Sequence, residues 1–253
     1  MTEFFCRFRA YCGRDSGLPG PVGGGDVNRW FFSLNAPISA SAQNGGADTP
    51  GQYVEALDRI FLAPGKDSDR DTIAHEVGHV IDRHFRDDYS STFEGTEVQE
   101  GLANMFSYDY SYTTDWLHSG LTINEEAAGS TFFTLPPDTH IVPLRMNGYS
   151  CAATDPHYNS FILTHAYWQW VNDMNSDGLD GRTIAGRLLQ YVPYQLAGQR
   201  TFGDTRNAFN NLIRNWYGTN SREFDAYIQA FGFETNILFS DSRATLCPRG
   251  TTL

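Results

Sequence analysis

Residues 71–85 read DTIAHEVGHVIDRHF, with His75 and His79 four positions apart and Glu76 beside the first. On a helix, positions i and i+4 stand one above the other, so both imidazoles can aim at one point. Two histidines so aimed suit a single metal ion. Glu76 points about a third of a turn away, where the base for an activated water belongs. Val77 and Gly78 keep the middle of the motif small and uncharged. Ile73, Val77, Val80 and Ile81 form an apolar stripe over 70–86, and the aspartates before them suit a helix start. Any fold for this chain must keep that stretch helical and set a further ligand opposite it. The bland alternative is a buried helix whose two histidines are satisfied by hydrogen bonds.

A third histidine on the same segment does not close the set. The metzincin spacing requires one six residues beyond His79, and that position is Phe85. A carboxylate from a second helix is the other solution, and EGTEVQEGLANMFSYDY (94–110) offers Glu94, Glu97 and Glu100. Glu100 is favoured because Asn104 follows one turn on, where its side chain can hydrogen-bond a ligand histidine. Glu97 remains the competitor.

The charge balance disfavours nucleic acid and anionic membrane as partners. Eighteen basic against thirty acidic residues give a net charge of -12, which repels phosphate backbones and anionic lipid alike. A hydrophobic fraction of 40% and an aromatic fraction of 14% belong to a packed globular protein, expected to be a monomer. No apolar run approaches a membrane span. The N-terminal MTEFFCRFRAYCGRDSG lacks the basic start and unbroken apolar core of a signal peptide, so a secreted protein would be read here in mature or trimmed form. Cys6, Cys12, Cys151 and Cys247 are too scattered for a zinc ribbon and suit two disulfides in an oxidising compartment, Cys6–Cys12 being the easy local pair.

Residues 13–52 are rich in Gly, Pro, Ser and Asn, with short apolar stretches such as RWFFSL, which predicts strands and turns. Helical patterns follow at 70–86, 96–108, 159–172, 181–191, 204–217 and 221–231, with an irregular connection over 109–156.

QEGLAN (99–104) resembles the ligand segment of the thermolysin family of gluzincin metallopeptidases, with Glu100 at the ligand glutamate and Asn104 where the family has an aspartate. DPHYNSFILTHAYWQW (155–170) is similar to the family's H-x-N-S-G-I-x-N-x-A-F-Y segment, with Phe161 and Thr164 departing from it, and TFGDTRNAFNNLIRNWYGTNSREFDAYIQAFGF (201–233) to its closing helices. The resemblance implies an α+β, thermolysin-like two-lobe fold with the zinc site in the cleft. A β-rich lobe over 1–108 would end in the two metal helices, and 109–253 would form a mainly helical lobe. It implies a zinc endopeptidase in which His75, His79 and Glu100 hold the ion and Glu76 is the general base. His157 would stabilise the transition state, with Tyr89 beside it. Arg145 of PLRMNGY would bind the substrate carbonyl, and the segment around Ala42 and Asn44 would pair with extended substrate.

Two further readings stay open. NDMNSDGLDGRT (172–183) sets Asp173, Asn175, Asp177 and Asp180 around Gly178 like half an EF-hand loop, but Ile184 stands at the twelfth position, where calcium would need a glutamate. A solvated turn opening the next helix is the equal alternative. The zinc motif itself could serve a toxin-like gluzincin with one narrow substrate, or a structural site that cleaves nothing. Glu76 argues against the last, since a structural site has no use for a base. His84, His118, His140 and His165 are read as structural.

Overall fold

The computed structural model describes residues 51–54, 59–62, 70–84, 92–110, 123, 126–130, 132–134, 139–196 and 200–247. Strands β1 (Gly51–Val54) and β2 (Arg59–Leu62) pair antiparallel, Gly51 opposite Leu62. Helices α1 (Arg70–His84) and α2 (Phe93–Tyr110) follow. A second antiparallel pair, β3 (Phe132–Thr134) and β4 (Thr139–Ile141), precedes the long α3 (Pro156–Ser176). Then come α4 (Gly181–Leu189), α5 (Val192–Gln195), α6 (Phe202–Trp216), α7 (Arg222–Tyr227) and α8 (Arg243–Leu246).

The expected α+β two-lobe architecture is overturned: the described residues are mostly helical and contain no β-rich lobe. The reason lies in where the apolar side chains sit. Strands of three or four residues in two-stranded pairs offer almost no face to bury, and Ile60 and Leu62 are the only buried apolar strand residues described. The core is instead built by helices, around Trp170 of α3. Tyr167, Phe209, Tyr227 and Phe231 surround its indole, with ring centroids 5.6–6.2 Å away in mainly edge-to-face contacts. Residues 13–50, which carried most of the strand expectation, lie outside the described residues.

Small residues fix how closely the central helices approach. A Cβ on Gly78 of α1 would lie 2.8 Å from the Ala103 Cα of α2. On the other side of α2, a Cβ on Gly101 would meet Leu163 at 3.1 Å and the Ser160 carbonyl of α3 at 3.2 Å. The backbones of α1, α2 and α3 therefore come together where their polar side chains are carried. α2, clasped between its neighbours, is buried along most of its length.

Local chemistry sets the ends. Pro156 opens α3 with its pre-set φ, and Asp155 caps it by accepting from the His157 backbone N–H at 2.9 Å. Thr201 and Asp204 form a capping box at α6. Cys151, just before α3, is bonded to Cys247, just after α8, with Cα atoms 5.7 Å apart. The Cys6–Cys12 pairing lies outside the described residues. No helix among the described residues is long and apolar enough to cross a membrane.

Candidate metal centre

Three helices each bring part of one cluster. α1 carries His75, Glu76 and His79; α2 carries Glu100; the first turn of α3 carries His157. Glu100 Oε2 lies 3.2 Å from His75 Nε2, 3.2 Å from His79 Nε2 and 3.1 Å from His157 Nε2. The two α1 imidazoles face each other at 3.1 Å between Nε2 atoms. Ligands around a tetrahedral zinc at ~2.0–2.1 Å stand roughly 3.3 Å apart, so these spacings match the edges of such a shell. Glu100 Oε2 is buried, with three imidazole nitrogens crowding it. Donor set and spacing together fit a divalent cation.

The electrostatics say the same. Burial opposes charge on His79, but the carboxylates of Glu100, Glu76 and Asp82 outweigh it and push the imidazole to about 9. Burial likewise opposes charge on His157, yet Glu100 and Asp155 raise it well above the usual histidine range. Burial disfavours ionised Glu100, and the charges of His157 and His79 reverse that and hold it well below the usual carboxylate range. The buried carboxylates thus draw positive charge to the cluster. Glu76, 6% exposed, is different: burial dominates and lifts its carboxyl to about 7.

Neighbours orient these groups. His75 Nδ1 donates to Asn104 Oδ1 at 2.9 Å, leaving the Nε2 lone pair for the centre. Asn104 Nδ2 in turn donates to Thr164 Oγ1 at 3.3 Å, which fixes the amide's orientation. His157 Nδ1 is 2.7 Å from Asp155 Oδ1. β1 lies over Glu76: the Tyr53 backbone N–H donates to the carboxylate, and a Cβ on Gly51 would stand 3.1 Å from Oε1.

The structure thus brings together His75, Glu76, His79, Glu100, Asn104 and His157. Glu97 turns away, to Tyr149 and Asn159, and Glu100 is the α2 acid beside the α1 histidines. Arg145 is mostly exposed and pairs with Glu234 at 3.5 Å, apart from the cluster. Tyr89, Ala42 and Asn44 lie outside the described residues. Around 173–180, Asn175 Oδ1 accepts from the Gly181 N–H and Asp180 caps α4 by accepting from Thr183 N–H, while Asp173 accepts from Gln169. Among the described residues, Asp173, Asp177 and Asp180 form no cluster of ligand atoms. His165 Nδ1 donates to the Ala127 carbonyl oxygen at 2.7 Å, a structural role.

Sequence reasoning missed Asp155 and β1. An aspartate before Pro-His reads as a helix cap, and it is one; its second role needs the side chain of His157 folded back onto it. Strand β1 carries no chemical group that marks it, since its backbone does the work. The chain matches no family model and no curated protein sequence.

Proposed function

We propose that the chain is a zinc-dependent endopeptidase of the gluzincin kind, acting on protein or peptide substrates. The observation that carries the reading is that Glu100 Oε2 lies within 3.2 Å of His75, His79 and His157, the ligand atoms of His75, Glu100 and His157 all lying within 4.8 Å of one another, with Glu76 alongside as an acid of raised pKa. The segment resemblances to the thermolysin family support the chemistry, without that family's two-lobe architecture. The Cys151–Cys247 disulfide supports an extracellular setting.

His75, His79 and Glu100 would hold the ion. Bound there, zinc supplies Lewis acidity and lowers the pKa of water from ~15.7 towards ~7. Glu76 accepts the proton of the attacking water and delivers it to the leaving nitrogen, a task suited to a carboxyl held near neutrality. His157, kept protonated by Asp155, donates to the oxyanion that develops on the peptide carbonyl. An extended substrate pairs alongside β1, whose backbone already reaches Glu76.

One observation favours a second reading. His157 Nε2 is as near Glu100 as either α1 histidine, and it forms with His75 and Glu100 a group whose ligand atoms lie within 4.8 Å of one another, so it would serve as a ligand of a structural site. Cleavage of casein by the parent and by Glu76→Gln, both shown to carry zinc, tests the proposal. Loss of at least about 100-fold in the variant with zinc retained supports it. Absence of cleavage by the zinc-loaded parent, on casein and on a broad peptide library, overturns the general-peptidase reading.

A further inference from the structure

Glu97 is completely buried on α2, one turn before Glu100. Its Oε1 accepts from Asn159 Nδ2 at 2.7 Å and from an Arg243 guanidinium nitrogen at 3.2 Å, and its Oε2 from the Tyr149 hydroxyl at 2.6 Å. Asn159 is itself locked to the Ser150 backbone: Nδ2 donates to the carbonyl and Oδ1 accepts from the N–H, both at 2.9 Å. Arg243 is held from the far side, donating to the Cys151 carbonyl at 2.8 Å beside the disulfide. A buried carboxylate with charged and polar partners is a poor source of stability, since a well-packed apolar residue does as well or better in its place. Its value is in what it positions.

What it positions is the turn that bears His157. Asn159 lies two residues beyond His157, so α2 touches the first turn of α3 twice, through Glu100 to His157 and through Glu97 to Asn159. The first contact uses a group that a bound cation claims. The second does not. We propose that Glu97 is a positioning residue, which holds His157 on station through Asn159 and acts on the reaction only by that route. The kinetic part rests on the peptidase reading above; the conformational part does not.

The test is a double-mutant cycle on the zinc-loaded protein with Glu97→Gln and His157→Ala, accompanied by amide hydrogen exchange over 157–161 in parent and variants. Glutamine keeps the volume but places a donor among three donors, so it cannot serve Asn159, Tyr149 and Arg243 together. Glu97→Gln is expected to lower kcat about 10- to 100-fold with KM and zinc content unchanged, and to speed exchange over 157–161. In the His157→Ala background it should lower kcat no further. An equal fall in both backgrounds, unchanged exchange, or loss of zinc overturns the inference. If Glu97→Gln does not fold, Asn159→Ala cuts the same tie from α3 and is judged by the same criteria. If the parent cleaves nothing, the peptidase reading fails and exchange alone decides: faster exchange sustains the positioning role, unchanged exchange ends it.

Discussion

His157 Nε2 stands 3.1 Å from Glu100 Oε2, the same within 0.1 Å as the 3.2 Å of His75 and His79. Distance therefore does not separate a ligand from an oxyanion donor, and a carboxylate on the other ring nitrogen serves either role. His75 Nδ1 is held by a neutral amide, while His157 Nδ1 is held by the Asp155 carboxylate, which favours the protonated ring. His157→Ala should leave zinc bound, as measured by metal content after dialysis, and lower kcat about 100- to 1,000-fold, the scale of losing one oxyanion donor. Release of the zinc instead would establish His157 as a ligand of the structural site.

Asn104 reaches His75 from the same face of α2 that carries Glu100. Removing a partner of this kind typically weakens metal binding about 10- to 100-fold. Asn104→Ala should do so in a chelator competition, and Asn104→Asp, which keeps an acceptor and adds charge, should bind at least as tightly as the parent. Equal affinity in all three would mean that the His75 ring is oriented by something else.

Gly78 brings α1 close against α2, with the position of a Cβ 2.8 Å from the Ala103 Cα. Alanine there would gain about 0.5–1 kcal/mol in helix formation. Overpacking against backbone, which cannot swing aside, costs about 1–3 kcal/mol, and should win. Gly78→Ala is expected to lower the urea midpoint and weaken zinc binding together. A higher midpoint would show that the two helices have room to spare.

His79 titrates at about 9 in the folded chain, against 6.5 for the free group, because Glu100 and its acidic neighbours outweigh the opposing effect of burial. A folded-state pKa raised in this way adds stability that is complete below the unfolded value and disappears as pH climbs through the folded one. The metal-free protein should thus lose melting temperature between pH 6.5 and about 9. Zinc replaces the proton, so the stabilisation it brings should grow across that window. Melting curves that stay a constant distance apart, with and without zinc, would contradict this.

Much of the centre was legible from spacing because a helix is a rigid ruler. His75 and His79 must share a face wherever α1 goes, and Asn104 must follow Glu100. Spacing favoured Glu100 through Asn104 but did not exclude Glu97, since α2 is buried on nearly all sides and each acid finds partners of its own. Only the arrival of α3 decides which meets His157 and which meets Asn159. The β-rich lobe failed for a different reason: short apolar runs broken by glycine read as strands, whereas burial in the described fold follows the helices. The sequence left the aspartates of 173–180 open between a cation loop and a helix start because capping and cation binding call on the same side chains.

Cys151 and Cys247 are 96 residues apart, and between them run α3, α4, α5, α6, α7 and α8. Most of the aromatic core and His157 thus belong to a covalent ring, not to an open chain. A cut in such a ring opens it without dividing it. Thr219 and Asn220 form an exposed turn on that ring, open to a protease. A molecule nicked there keeps its two parts tethered, migrating as one species until a reductant is added and as two afterwards.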